Sequence, residues 1–167
     1  PEATGSIAAL GRACELAAQH FDDENTRGKA LRDKLEKRLI SNIPDSKING
    51  DPASRLPGTT NISFKFVEGE AILLLLDQEG ICASSGSACT SGSLEPSHVL
   101  RSMGVPFTYA HGSVRLSLSR YTTEAEIDTA LEVIPRVITR LREISPYRNL
   151  SDDALPGDGN ACACSAF

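Results

Sequence analysis

The sequence lacks a long apolar run, a surplus of positive charge and an even set of cysteines. No stretch of its 167 residues approaches the length of a membrane-spanning helix, so no membrane partner is expected. Lys and Arg number 17 against 22 Asp and Glu, a net charge of -5, which argues against a nucleic-acid partner. The five cysteines are Cys14, Cys82, Cys89, Cys162 and Cys164. An odd number with no secretory signal fits a reducing cytoplasm better than a disulfide framework. Internal repeats are absent as well. The first residue is Pro1 rather than Met, so a piece of something larger is expected.

What is present is enough apolar material for one domain: hydrophobic residues make up 40% of the chain. Residues 3 to about 41 read as helix. Ile7, Leu10, Cys14, Ala17 and Phe21 recur at steps of three and four, and Leu31, Leu35 and Leu39 continue at steps of four. Cys14 lies on this stripe and reads as a packed core thiol. Lys47-Ile48-Asn49 is a short strand. Thr60 to Phe66 alternates, with Ile62, Phe64 and Phe66 on one face. Residues 68–78 hold the run Ala71 to Leu76, read as a buried helix ended by Gly80. Ile81-Cys82-Ala83 is a short strand in which Cys82 reads as core.

A helix is expected from about Pro96 to Gly104, and a loop over residues 105–112. In Ser113 to Leu118, Val114, Leu116 and Leu118 alternate with Ser113, Arg115 and Ser117. Thr123 and Glu126 form a capping-box pattern. The helix after it carries Ile127, Leu131, Ile134, Ile138 and Leu141, with a kink expected at Pro135. The result is an α+β domain over residues 1–147, with a small antiparallel sheet packed with helices. Residues 148–167 read as a polar, disordered tail.

The chemistry centres on residues 84–93, Ser-Ser-Gly-Ser-Ala-Cys-Thr-Ser-Gly-Ser. Small polar residues cannot bury enough surface to hold a core position. The stretch therefore reads as a flexible, solvated loop carrying one thiol. Thiol chemistry needs a thiolate with reach, and the helix expected to follow would present its N-terminal amides a few residues beyond Cys89. The competing reading is a loop cysteine of no consequence. No second Cys or His lies at ligand spacing for a protein-only metal site, and the loop lacks the lysine of a phosphate-binding loop. Arg115 stands on the polar face of its strand, either solvated or gripping a carboxylate. Arg55, Arg101 and Arg120 are weaker candidates for that grip. His98 and His111 are candidate acids or bases, and His20 reads as surface. Cys162 and Cys164 form a pair able to relay sulfur or bind metal, or one of no function.

Ser84 through Arg101 resembles the active-site region of pyridoxal-phosphate-dependent cysteine desulfurases, the group serving nitrogenase and general iron–sulfur assembly. Asn49-Gly50-Asp51 with Leu56-Pro57, Val67 to Ala71, and Ala110 to Thr122 agree in order and spacing. The resemblance runs from about residue 3 to Tyr147. It implies the small C-terminal domain of a fold-type I enzyme. It implies conversion of L-cysteine to L-alanine, with sulfur kept as a persulfide on Cys89 and passed to an iron–sulfur scaffold or other acceptor protein. Cys89 would then ligate iron–sulfur metal only transiently, through that persulfide. The resemblance assigns the substrate carboxylate to Arg115. It implies a homodimer, and pyridoxal 5'-phosphate held by a preceding domain. Lys29, Lys34, Lys37, Lys47 and Lys65 lie in contexts unlike that of the cofactor lysine, so the chain alone is expected to be inactive. The alternative is a stand-alone sulfur carrier or interaction module that accepts persulfide on Cys89.

Overall fold

A computed structural model describes residues 2–85 and 97–146. Cys89, Cys162, Cys164 and the tail expected from residue 148 lie outside them. The helical first quarter is divided. α1 (Thr4–Gln19) is followed by the single turn α2 (Phe21–Asp23), a π-helical turn (Glu24–Gly28) and α3 (Lys29–Asn42). Side chains help to open the π turn: Asn25 Nδ2 donates to the Phe21 carbonyl and Thr26 Oγ1 to that of Asp22, both at 2.7 Å. One extra residue in a turn rotates the helix by about 100°. The apolar stripes before and after it therefore do not share a face. Leu31, Leu35 and Leu39 are buried, whereas Ile7 and Leu10 are 61% and 66% exposed. Cys14 is exposed with them, and so is not the core thiol its spacing suggests.

The sheet is three-stranded and antiparallel, in the order β1 (Ser46–Asn49), β2 (Thr59–Phe64), β3 (Ser113–Ser117). The expected α+β class therefore holds. Alternation sends Ile62, Phe64, Val114 and Leu116 to one face. There they form a core with Leu35 and Leu39 of α3, Ile72 and Leu76 of α4 (Gly69–Gln78), and Ile134 and Ile138 of α7 (Glu124–Ile144). Burying each such side chain stabilises the fold by roughly 1.5–3 kcal/mol relative to leaving it in water. The other face of the sheet is polar and carries Asn49, Asn61, Ser63, Ser113 and Arg115. α5 (His98–Ser102) and α6 (Phe107–Ala110) form a second small cluster through Leu100, Val105 and Ala110.

Several expectations need correction. α4 is one-sided rather than buried all round: Ile72 and Leu76 are buried, but Leu74 is 67% exposed. Phe66 does not extend β2, because its backbone is left-handed (φ 68°) and the strand stops at Phe64. Ile81 and Ala83 pack on the core, so the alternating Cys82 between them faces out and is exposed. Only Ser84 pairs there, in an isolated bridge to Arg115. Residues 105–112 contain α6 where a loop was expected. The capping box at Thr123 forms as the pattern predicts. Thr123 Oγ1 accepts from the Glu126 amide at 3.3 Å, and Glu126 Oε2 from the Thr123 amide at 2.7 Å. α7 continues through Pro135.

Candidate active site

The bridge at Ser84 joins the sheet to the start of the 84–93 stretch. The Ser84 amide donates to the Arg115 carbonyl at 3.1 Å, and the Arg115 amide donates to the Ser84 carbonyl at 2.6 Å. Arg115 is in turn the partner of Asn61, and Asn61 of Asn49. Residues directly opposite one another in an antiparallel ladder share a face. Asn49, Asn61, Arg115 and Ser84 therefore form one polar row across the sheet, on the side away from the core. Asn49 is buried, Asn61 half-buried and Arg115 exposed. Asn49 Nδ2 donates to Asn61 Oδ1 at 2.6 Å and to Ser63 Oγ at 2.7 Å. Asn49 Oδ1 is buried and has no hydrogen-bond partner among the described residues.

Local sequence explains why Arg115 stands where it does. Val114 and Leu116 anchor β3 in the core, so the residue between them must face the other way. The strand begins at a close approach. The Phe64 amide donates to the Gly112 carbonyl at 3.0 Å. A Cβ on Gly112 would overlap the Phe64 carbonyl oxygen and lie 2.9 Å from that of Val67. Among the described residues, the Arg115 guanidinium has no hydrogen-bond or ion-pair partner.

The other arginine candidates do different work. Arg55 is paired in a fork with Glu36, each contact at 2.7 Å, and Thr60 Oγ1 donates to the same carboxylate at 2.5 Å. Burial alone would push the Glu36 carboxyl up. The bonds from Arg55 and Thr60 outweigh it and hold the group below the usual carboxylate range. Arg120 donates to the Tyr121 hydroxyl and lies over its ring at 4.7 Å. It lines a groove of about 410 Å³ with Leu16, Gly28, Pro57, Leu118 and Tyr121, and Arg115 takes no part in that groove. Arg101 lies on α5 and is not a member of the Asn49–Ser84 row.

No histidine is a member of Arg115's row. His98 opens α5 and is exposed, while His20 is half-buried. His111 packs edge-on against Phe107 with ring centres 4.2 Å apart, and its Nδ1 lies 3.8 Å from Glu68 Oε2. Its Nε2 is buried and has no partner among the described residues. Among those residues no group of three or more His, Cys, Asp or Glu side chains could hold a metal ion, and no helix is long and apolar enough to cross a membrane.

Comparison with known proteins identifies the family. The sequence signature described as Aminotransferase class-V matches residues 2–130. The chain belongs to the aminotransferase class-V family. Its relatives in this family include cysteine desulfurase 2 of Trichormus variabilis, 62% identical over 155 residues. That match covers 93% of this chain and 39% of the relative. Cysteine desulfurase NifS of Azotobacter vinelandii is 58% identical over 146 residues, covering 87% of this chain and 37% of the relative. A NifS-like protein of Rickettsia africae superposes with a TM-score of 0.72 at 32% identity, covering 83% of this chain and 35% of that one. The chain thus spans less than two fifths of the length of the relatives it matches.

Class-V membership implies pyridoxal phosphate, and the lysines test whether these residues fit it. Lys34 is paired with Glu124 at 2.8 Å and Asp128 at 2.7 Å. The Lys65 Nζ lies 4.8 Å from the Phe66 ring centre and 5.7 Å from that of Tyr109. Lys29 and Lys37 are exposed on α3, and Lys47, exposed on β1, pairs with Ser63, outside the Arg115 row. No lysine occupies the Asn49–Asn61–Arg115–Ser84 row. The row therefore offers donor groups but no Schiff-base lysine. The polar face of β3 predicts the exposure of Arg115, whereas the bond between Asn49 and Asn61 beside it joins residues 12 apart and has no local pattern.

Proposed function

We propose that the chain is the C-terminal, substrate-gripping and sulfur-accepting part of a cysteine desulfurase. In this reading Arg115 holds the carboxylate of L-cysteine and Cys89 takes its sulfur as a persulfide. The observation that carries it is the backbone bridge between Ser84 and Arg115. It fixes the start of the Cys89 stretch to the strand bearing an exposed arginine with no described partner. The relatives named cysteine desulfurase supply the substrate class. An arginine guanidinium suits a carboxylate because its planar fork matches the two oxygens.

Pyridoxal phosphate, carried by the rest of a longer polypeptide, would supply the electron sink that lets the substrate C–S bond break. The residues present here would bind and orient. Sulfur would leave Cys89 for an acceptor protein such as an iron–sulfur scaffold, in a cytoplasmic homodimer.

The test uses the full-length enzyme. Cys89→Ser abolishes persulfide formation and sulfide release from L-cysteine in the absence of added thiol. Arg115→Ala raises KM for L-cysteine about tenfold or more, the loss expected for a hydrogen bond to a charged group. Sulfide release at the normal rate from Cys89→Ser would remove Cys89 as the sulfur acceptor.

A further inference from the structure

We propose that Asn61 is a second donor to the substrate carboxylate, acting beside Arg115 and oriented by Asn49. The inference rests on the reading of Arg115 given above and extends it to a residue on the neighbouring strand. β2 is the central strand, with β1 on one side and β3 on the other. Asn61 is the direct partner of Asn49 across one ladder and of Arg115 across the other. Asn49 Nδ2 donates to the side-chain Oδ1 of Asn61 at 2.6 Å. That bond turns the acceptor end of the Asn61 amide toward β1. The end turned away, the Nδ2 group with its two N–H donors, is left for the β3 side, where Arg115 stands.

Chemistry decides what this pair can take. A guanidinium has donors only. An amide presenting its NH2 end has donors only as well. The two cannot bond each other, so they are complementary to a shared acceptor with more than one oxygen. A carboxylate fits: one oxygen to each, or both to the guanidinium with one also bridged to the amide. Asn49 itself is buried, with its second bond to Ser63 Oγ at 2.7 Å and its own Oδ1 unpaired among the described residues. A buried unpaired acceptor is costly.

The test measures affinity for carboxylate-bearing and carboxylate-free ligands in the full-length, cofactor-loaded enzyme. L-alanine and cysteamine are titrated by their effect on the visible spectrum, alongside KM and kcat for L-cysteine. Asn61→Ala is expected to weaken L-alanine about tenfold and to raise KM for L-cysteine more than it lowers kcat. Cysteamine affinity should stay within twofold. Asn61→Asp preserves the shape and the bond from Asn49 but sets a negative charge beside Arg115, so it should weaken L-alanine further and again spare cysteamine. It also serves if Asn61→Ala fails to fold. Arg115→Lys separates the two readings. If it weakens L-alanine and neither Asn61 variant does, Asn61 is structural and this proposal is overturned alone. If both ligands weaken equally in the Asn61 variants, a general distortion is at work and the proposal is likewise overturned. If Arg115→Lys also leaves L-alanine unchanged, the assignment of Arg115 falls with it.

Discussion

The buried ion pair of Glu36 and Arg55 shows how single residues hold this fold in place. Glu36 is 6% exposed on α3, and Arg55 belongs to the connection between β1 and β2. Thr60 of β2 completes the carboxylate's bonds. The cluster therefore ties helix, connection and strand together at one point. Losing one partner would leave the other charge buried and unpaired, at a cost of about 3–5 kcal/mol. Glu36→Gln is expected to lower stability by that order at pH 7, read from urea unfolding. The pH dependence follows from the direction of the shift. The Glu36 carboxyl is held below its ordinary value of 4.5 in the folded state. Its stabilisation is thus present above that value and is lost as pH falls through the lower, folded one. The gap between the native chain and Glu36→Gln should narrow between pH 4.5 and more acid conditions. A gap that widens in acid would show that the carboxylate is not what holds the cluster.

At the scale of elements, the placement of β3 governs the site. Gly112 is required there by space rather than by an unusual backbone angle, because an added Cβ meets the carbonyl of Phe64. Gly112→Ala must push β3 away from β2 and carry Arg115 with it. Overpacking of this kind costs about 1–3 kcal/mol. We expect a lowered melting temperature and, in the full-length enzyme, a raised KM for L-cysteine. An unchanged KM would mean that Arg115 tolerates displacement. Much of this element was legible in the sequence. Alternation over Ser113 to Leu118 gave the strand and put Arg115 outside, and Thr123 with Glu126 gave the start of α7. The π turn at Glu24–Gly28 was not legible, since a continuous apolar stripe reads the same whether or not one residue is looped out. α6 was hidden for a different reason: four residues are too short to show a helical period. Asn61 has no signal of its own, because its place between Asn49 and Arg115 depends on a strand register that spacing alone does not give.

At the scale of the molecule, α1 stands outside the packing that α3, α4 and α7 share with the sheet. It contains no buried residue, whereas α3 and α7 bury leucines and isoleucines against the sheet. Its exposed Ile7 and Leu10 form an apolar stripe without a described partner surface. A 16-residue helix is marginal in water when tertiary contacts do not support it. In the proposed full-length enzyme, the remainder of the polypeptide would cover that stripe. The relatives, at more than twice this chain's length, supply ample material. Hydrogen exchange separates the two situations, because local opening tracks the buried contacts that an element makes. In the isolated chain, α1 amides should exchange far ahead of those in α3 and α7, while in the full-length enzyme α1 should gain protection. Should α1 of the isolated chain prove as protected as α7, its exposed stripe would already have a cover within these 167 residues. Docking of a further domain on α1 would then lose its physical basis.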